Sequence, residues 1–210
     1  MRKRKKKWVT KLLWLALLVC FIVGVRYVYT LKKQVAAVNQ WENLVSQITT
    51  EHGISNYKDV VMAIIFTETK GKHLDVMQSS ESKYGEQNQI ASSEESIQSG
   101  VQHLSEVLSE GAAKKVDVWT AVQAYNFGIN YINYVVEDGG VNSIALAEKY
   151  SRDYLAPVLG NKTGQTYRYL TPVSIKNNQR YLYVDGGNYL YAEEVQQNMK
   201  IMKFFESLPF

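Results

Sequence analysis

Glu68 follows an apolar run, Val60-Val61-Met62-Ala63-Ile64-Ile65-Phe66, with only Thr67 between. Val61, Ile64, Ile65 and Glu68 fall at i, i+3, i+4 and i+7, so a helix places the carboxyl on its own apolar stripe. Gly71 is the natural stop for that helix and Asn56 its candidate N-cap, with Asp59 three residues on. A carboxyl on such a stripe loses water, and at a helix C-terminus the backbone dipole also disfavours its anion. Both effects raise its pKa. An acid that holds a proton near neutral pH is what a glycosidase needs to protonate a leaving oxygen. The competing reading is a helix-end Glu that turns to water or pairs with Lys70 or Lys72.

Two further blocks follow in order, Asp75-Val76-Met77-Gln78-Ser79-Ser80-Glu81-Ser82 and Ala124-Tyr125-Asn126-Phe127-Gly128. An acid closing an apolar helix, a Met-Gln turn about ten residues later and a distal Tyr-Asn pair resemble the pattern of goose-type lysozymes and lytic transglycosylases, E-S/T, then G-L-M-Q, then A-Y-N-A-G. The chain is most similar to the Gram-positive subgroup found in the muramidase domain of conjugative-transposon cell-wall hydrolases. The likeness covers most of the region after an N-terminal apolar segment.

That resemblance implies an α+β, mainly helical lysozyme-like domain with a small β-hairpin, cutting the β-1,4 bond between N-acetylmuramic acid and N-acetylglucosamine in peptidoglycan glycan strands. It implies Glu68 as the catalytic acid. Gln78 then lines the sugar subsites with Met77 beneath it, Ser80 and Glu81 join the substrate-binding wall, and Tyr125 and Asn126 face the acid and hold the N-acetyl group. Two departures stand out: Phe127 occupies the small-residue position of the third block, and Ser80 stands where an aspartate would position water. Asp75 and Glu81 are the replacements within reach, and both also read as loop charges. Without a second carboxylate the muramoyl 6-hydroxyl attacks and leaves an anhydro end, so hydrolysis and transglycosylation both stay open. No cofactor or metal is implied. The alternative from another class is a non-catalytic peptidoglycan-binding or division-scaffold protein that keeps the fold.

Other chemistry has weaker support. Ser80-x-x-Lys83, Tyr131-x-Asn133 and Lys162-Thr163-Gly164 repeat in order the outline of penicillin-binding enzymes, but S-x-x-K recurs at Ser55 to Lys58, and Lys162-Thr163-Gly164 reads as a polar turn rather than a strand. Cys20, the sole cysteine, sits inside the apolar segment, so the region after it has no thiol peptidase or internal disulfide. His52, His73 and His103 lack ligand spacing and read as surface residues. The formal charge is +4, yet residues 1–33 hold ten of the 24 Lys and Arg and none of the 20 Asp and Glu; residues 34–210 therefore carry a net −6. A nucleic-acid partner, which needs a basic face, does not fit.

The elements that must position these residues can be read coarsely. A cytoplasmic basic segment, 1–7, precedes a transmembrane signal-anchor, 8–29, whose 22 residues span ~33 Å against a hydrocarbon core of ~30 Å. The basic cluster predicts a cell-membrane, single-pass protein with a cytoplasmic N-terminus and an extracellular C-terminal domain. A cleaved signal peptide is disfavoured because Val35 and Ala37, the first small-residue pair, lie beyond Lys32 and Lys33. Residues 30–50 read as a helical stalk whose Val35, Val38, Trp41, Leu44, Val45 and Ile48 form a stripe able to pack on the lysozyme-like domain, 51–210. Cell-division or wall-synthesis proteins are candidate partners for that stripe.

Within the domain, His73 to Ile90 reads as an irregular loop or small hairpin. A helix capped at Ser92 and Ser93 is expected to end at Gly111, and another to run from an Asp117 cap to Gly128. Further helices are expected near Tyr131–Glu137 and Ser143–Leu155, with a closing one from Glu193 to Leu208. Tyr181–Val184 and Tyr189–Ala192 alternate with period two around Asp185-Gly186-Gly187-Asn188, which predicts a hairpin. Its tyrosine faces are the candidate sugar-stacking platforms.

Overall fold

In the computed structural model, which describes residues 2–86 and 89–208, a long helix α1 (Arg2–Asn39) leads into a mainly helical body. The side chains of residues 2–7, 9, 10 and 82 fall outside the description, and with them the basic cluster. Among the described residues one helix, Lys11–Asn39, is long and apolar enough to cross a membrane.

The segment read as a stalk is part of the body. Val35 and Val38 of α1, with Val45 and Ile48 of α2 (Glu42–Glu51), belong to the common core. A short 3-10 turn, Ser55–Tyr57, then delivers α3 (Lys58–Glu68). The turn corrects the expected cap: Asn56 lies inside it, and α3 starts from Tyr57 without a side-chain cap. Val60 to Phe66 are all buried, so α3 is the central helix rather than one with a single apolar stripe. It packs on α1, α2 and α11 (Tyr191–Glu206).

The His73–Ile90 stretch is not wholly irregular. It contains α4 (Ser80–Tyr84), closed by Gly85 in the left-handed region. Next come α5 (Ser93–Ala113), capped by the Ser92 hydroxyl on the Glu95 N–H, and α6 (Val118–Phe127), capped by Asp117 on the Trp119 N–H. α5 passes through the expected stop at Gly111, which is buried against the following turn. Its Ile97, Val101, Leu104 and Leu108 face inward, and α5 packs along α6. α7 (Asn130–Glu137) and α8 (Ile144–Tyr150) follow, the latter continuing through a π turn, Ser151–Leu155, into α9 (Ala156–Val158).

The two-stranded antiparallel sheet has a different partner from the expected one. β2 (Tyr181–Tyr183) pairs with β1 (Thr166–Arg168) in the register Thr166↔Tyr183, Tyr167↔Leu182, Arg168↔Tyr181, and α10 (Pro172–Lys176) lies between them. Tyr189 to Ala192 instead end a loop and open α11. Four alternating residues are too few to distinguish a strand from a first helical turn. Long-range bonds decide the matter: buried Gln123 donates to the Asn188 carbonyl at 2.8 Å and accepts from the Ala192 N–H at 3.1 Å.

Candidate active site

Glu68 is the last residue of α3, and the chain turns sharply after it. Lys70 and Gly71 both adopt left-handed backbone, at φ 57° and 71°. At Gly71 glycine is required for a second reason, because a Cβ would sit 2.5 Å from the Ala37 carbonyl oxygen of α1. The buried Thr69 hydroxyl donates to the Val76 carbonyl at 2.9 Å and accepts from the Gly71 N–H at 3.2 Å. The helix end and the Met-Gln loop are thereby joined. Lys70 does not pair with Glu68; its ammonium donates to the Thr67 carbonyl at 2.9 Å, and burial lowers its pKa.

A cleft of about 650 Å³ opens over this helix end. Glu68, Gln78, Ser80, Glu81, Tyr125 and Asn126, the six residues singled out from sequence, all line it. They differ in how much of each side chain remains for a ligand. Gln78 is exposed and held at φ 50°, a strained backbone for a residue with a Cβ, with its amide donating to the Asp75 carbonyl at 3.1 Å. The buried Ser80 hydroxyl is engaged twice, donating to the Glu86 carbonyl and accepting from the Gln89 N–H, both at 2.8 Å. Lys83 pairs with Glu95 at 2.7 Å, so the Ser80-Lys83 outline of an acyl-serine enzyme does not assemble.

Asp75 organises the loop. It accepts from the Ser79 and Ser80 N–H groups at 2.9 and 3.0 Å and from the Ser96 hydroxyl at 2.6 Å. Met77 is fully buried beneath Gln78, and its carbonyl accepts from the Tyr125 hydroxyl at 2.9 Å. Tyr125 is thus a wall residue whose hydroxyl is committed to the loop. His103 lies beside it, ring centroids 5.0 Å apart, and corrects the surface assignment: it lines the cleft, is partly buried, and burial lowers its pKa.

Asn126 is exposed at the cleft, and its amide oxygen accepts from the Asn188 N–H at 2.8 Å, which leaves the NH2 group as its donor toward a ligand. Asn188 carries that order inward. Its side chain donates to Glu194 at 2.9 Å and to the Tyr169 hydroxyl at 3.2 Å, and Glu194 also accepts from Thr171 at 2.6 Å. Phe127 turns into an aromatic cluster with Tyr131 and Tyr150. Gly187 at φ 63° permits the approach: a Cβ there would lie 2.9 Å from the Phe127 ring and 3.1 Å from the Asn126 amide oxygen.

Tyr191, which the sequence placed only among candidate stacking platforms, reaches Glu68 directly. From the first turn of α11 its hydroxyl donates to Glu68 Oε1 at 2.6 Å, across 123 residues of sequence. Its ring stacks on Tyr125, centroids 6.2 Å apart. Tyr181 and Tyr183 have another role, donating to Glu148 at 2.8 and 3.2 Å. Asp185, read only as part of a turn, lines the cleft.

Desolvation by the cleft walls pushes the Glu68 pKa up to about 7. The Tyr191 hydrogen bond and Lys70 oppose the shift, while Asp75 and Glu194 add to it. Glu68 therefore exchanges a proton near neutrality, beside polar walls set by Gln78, Asn126 and two further carboxylates, Glu81 and Asp185. Among the described residues no group of three His, Cys, Asp or Glu side chains is arranged to hold a metal.

Comparison with known proteins shows the family to which this fold belongs. The family described as lysozyme-like matches residues 35–199. Pneumococcal vaccine antigen A of Streptococcus pneumoniae is 46% identical over 84% of this chain and 86% of its own. A bifunctional muramidase/DL-endopeptidase of Bacillus subtilis is 34% identical over 55% of this chain and 34% of its own. Among solved structures, a lipoprotein-like protein of the NLP/P60 family from Staphylococcus aureus superposes with a TM-score of 0.70 at 34% identity, over 78% of this chain. This chain spans about half of that one, 52%.

Proposed function

The chain belongs to the lysozyme-like family, and from that premise we propose that it is a membrane-anchored glycosidase cutting the β-1,4 bond between N-acetylmuramic acid and N-acetylglucosamine in peptidoglycan. Glu68 is the general acid. The observation that carries this reading is the placement of Glu68 at the end of α3 in a polar cleft of about 650 Å³, one oxygen held by Tyr191, where burial raises its pKa. With Oε1 engaged by Tyr191, the transferable proton belongs on Oε2 and goes to the leaving glycosidic oxygen. Gln78 and the Asn126 NH2 group hold the sugar, and Tyr125 keeps the loop and the acid in register.

Asp75 is withheld from activating water by its hydrogen bonds. Glu81 and Asp185 are the other two carboxylates that line the cleft, and either is a candidate for that role. The N-terminal helix supports a single-pass anchor with the body outside the cell, where glycan strands are.

Mass analysis of glycan fragments released from purified peptidoglycan tests the reading. Reducing N-acetylmuramic acid ends identify water as the nucleophile and implicate Glu81 or Asp185; 1,6-anhydro ends identify the muramoyl 6-hydroxyl. Intact strands with the protein bound to them would replace the glycosidase by a docking protein.

A further inference from the structure

The body meets α1 closer to its apolar stretch than a stalk would allow. A second cavity, of about 270 Å³, has Tyr27, Leu31 and Gln34 of α1 on one wall and Tyr169, Pro172 and Val173 on another. Tyr27, Leu31 and Gln34 lie on successive turns of one helix face. Tyr27 is only two residues, ~3 Å, beyond Val25, the last of the unbroken apolar stretch. The segment from β1 to α10 therefore stands where the helix would leave the hydrocarbon, the level at which tyrosine rings sit.

That segment differs from the rest of the body in charge. Residues 154–184 include Lys162, Arg168, Lys176 and Arg180 and no Asp or Glu, within a region, 34–210, of net −6. All four cations are exposed, and none forms an ion pair among the described residues. Tyr167, Leu170 and Ile175 between them are 48%, 46% and 52% exposed. Exposed cations and exposed apolar side chains that alternate along one segment have the composition of an interface with both anionic headgroups and acyl chains. A soluble polyanion would use the cations and leave Leu170 and Ile175 without a partner.

We infer that the face formed by β1, α10 and the approach to β2 docks on anionic lipid headgroups as a second membrane contact beside α1; this rests on the single-pass reading above. One helix alone leaves the body free to tilt against the surface. Two contacts fix it, and the Glu68 cleft then keeps one attitude toward the surface.

The test uses the full chain reconstituted in vesicles of phosphatidylcholine alone or with about one-third phosphatidylglycerol. A fluorophore is placed at Ile175→Cys in a Cys20→Ser background, with Val141→Cys, on the loop before α8, as the comparison site. Headgroup-quencher lipid should quench the label at position 175 in the anionic vesicles only, and the label at 141 in neither. The triple variant Arg168→Gln, Lys176→Gln, Arg180→Gln should lower the docked-to-undocked ratio about 100-fold, from roughly 5-fold per cation near an anionic surface. Salt at about 0.5 M should weaken docking as well. Equal quenching in both lipids, no quenching at 175, or an unchanged triple variant would overturn the docking face. So would protection of the label at 175 by soluble polyglutamate but not by anionic lipid, which would assign the cations to an acidic polymer. Flotation with the vesicles reads the anchor separately: a chain that floats without docking removes only this inference, and one that does not float removes the anchor and the docking face together.

Discussion

Replacing Tyr191 by Phe isolates how the acid is tuned. Its hydroxyl, 2.6 Å from Glu68 Oε1, favours the carboxylate and so holds the Glu68 pKa down against burial. Losing a bond worth about 1.4 kcal/mol should move the alkaline limb of the pH–rate profile up by roughly one pH unit. Cleavage at the optimum should fall as well, because Glu68 is held less firmly. An unmoved limb would disconnect Tyr191 from the acid. Stability gives an independent reading of the same carboxyl. A folded pKa near 7 against an ordinary 4.5 means that the folded protein binds the extra proton between those values, so Glu68 makes stability fall as pH rises through that window. Glu68→Gln should match wild type near pH 4 and exceed it above pH 7, by on the order of 1–2 kcal/mol after allowance for water in the cleft. Urea titrations at the two pH values measure the difference.

At the scale of elements, two loops converge on α3 and α6, and their glycines make the convergence possible. Gly187→Ala would drive a methyl into Phe127 and the Asn126 amide oxygen at a left-handed position. Strain and overpacking there should cost about 1–3 kcal/mol and displace Asn126 from the cleft wall. The expected signature is a raised KM at a pH where folding is complete; an unchanged KM would show that Asn126 is not held by the loop. These elements also mark what sequence could and could not convey. Glu68 was legible from its helix-end pattern, and Gln78, Tyr125 and Asn126 through the resemblance of their short sequence blocks to a family motif. Tyr191, Asn188 and Asp185 were not, since their roles exist only once α11 and its entry loop lie against α3 and α6. The same loop misled the strand assignment, because alternation over four residues says nothing about which backbone partners are near. α3 gave its helix and its acid from periodicity, yet its burial on every side depends on α1, α2 and α11 closing around it.

For the molecule as a whole, the first residues after the apolar span are structural. Val35, Val38, Val45 and Ile48 are buried in the common core, and each is worth roughly 1.5–3 kcal/mol, together comparable with the ~5–15 kcal/mol that stabilises an ordinary domain. A fragment beginning at residue 31 should unfold cooperatively on heating, whereas one beginning at residue 52 should lack a cooperative transition by circular dichroism. A stable fold from the shorter fragment would restore a separable stalk. The same body is proposed to cut glycan strands with one acid, and a single substitution addresses that claim most directly. Glu68→Gln keeps the shape of the side chain and an acceptor for Tyr191 while removing the transferable proton. The rate of strand cleavage at pH 6, measured on purified peptidoglycan alongside sedimentation binding to the same material, should fall ~10²–10⁴-fold with binding intact. Cleavage near the wild-type rate by the folded variant would contradict Glu68 as the acid and with it the mechanism proposed for this cleft.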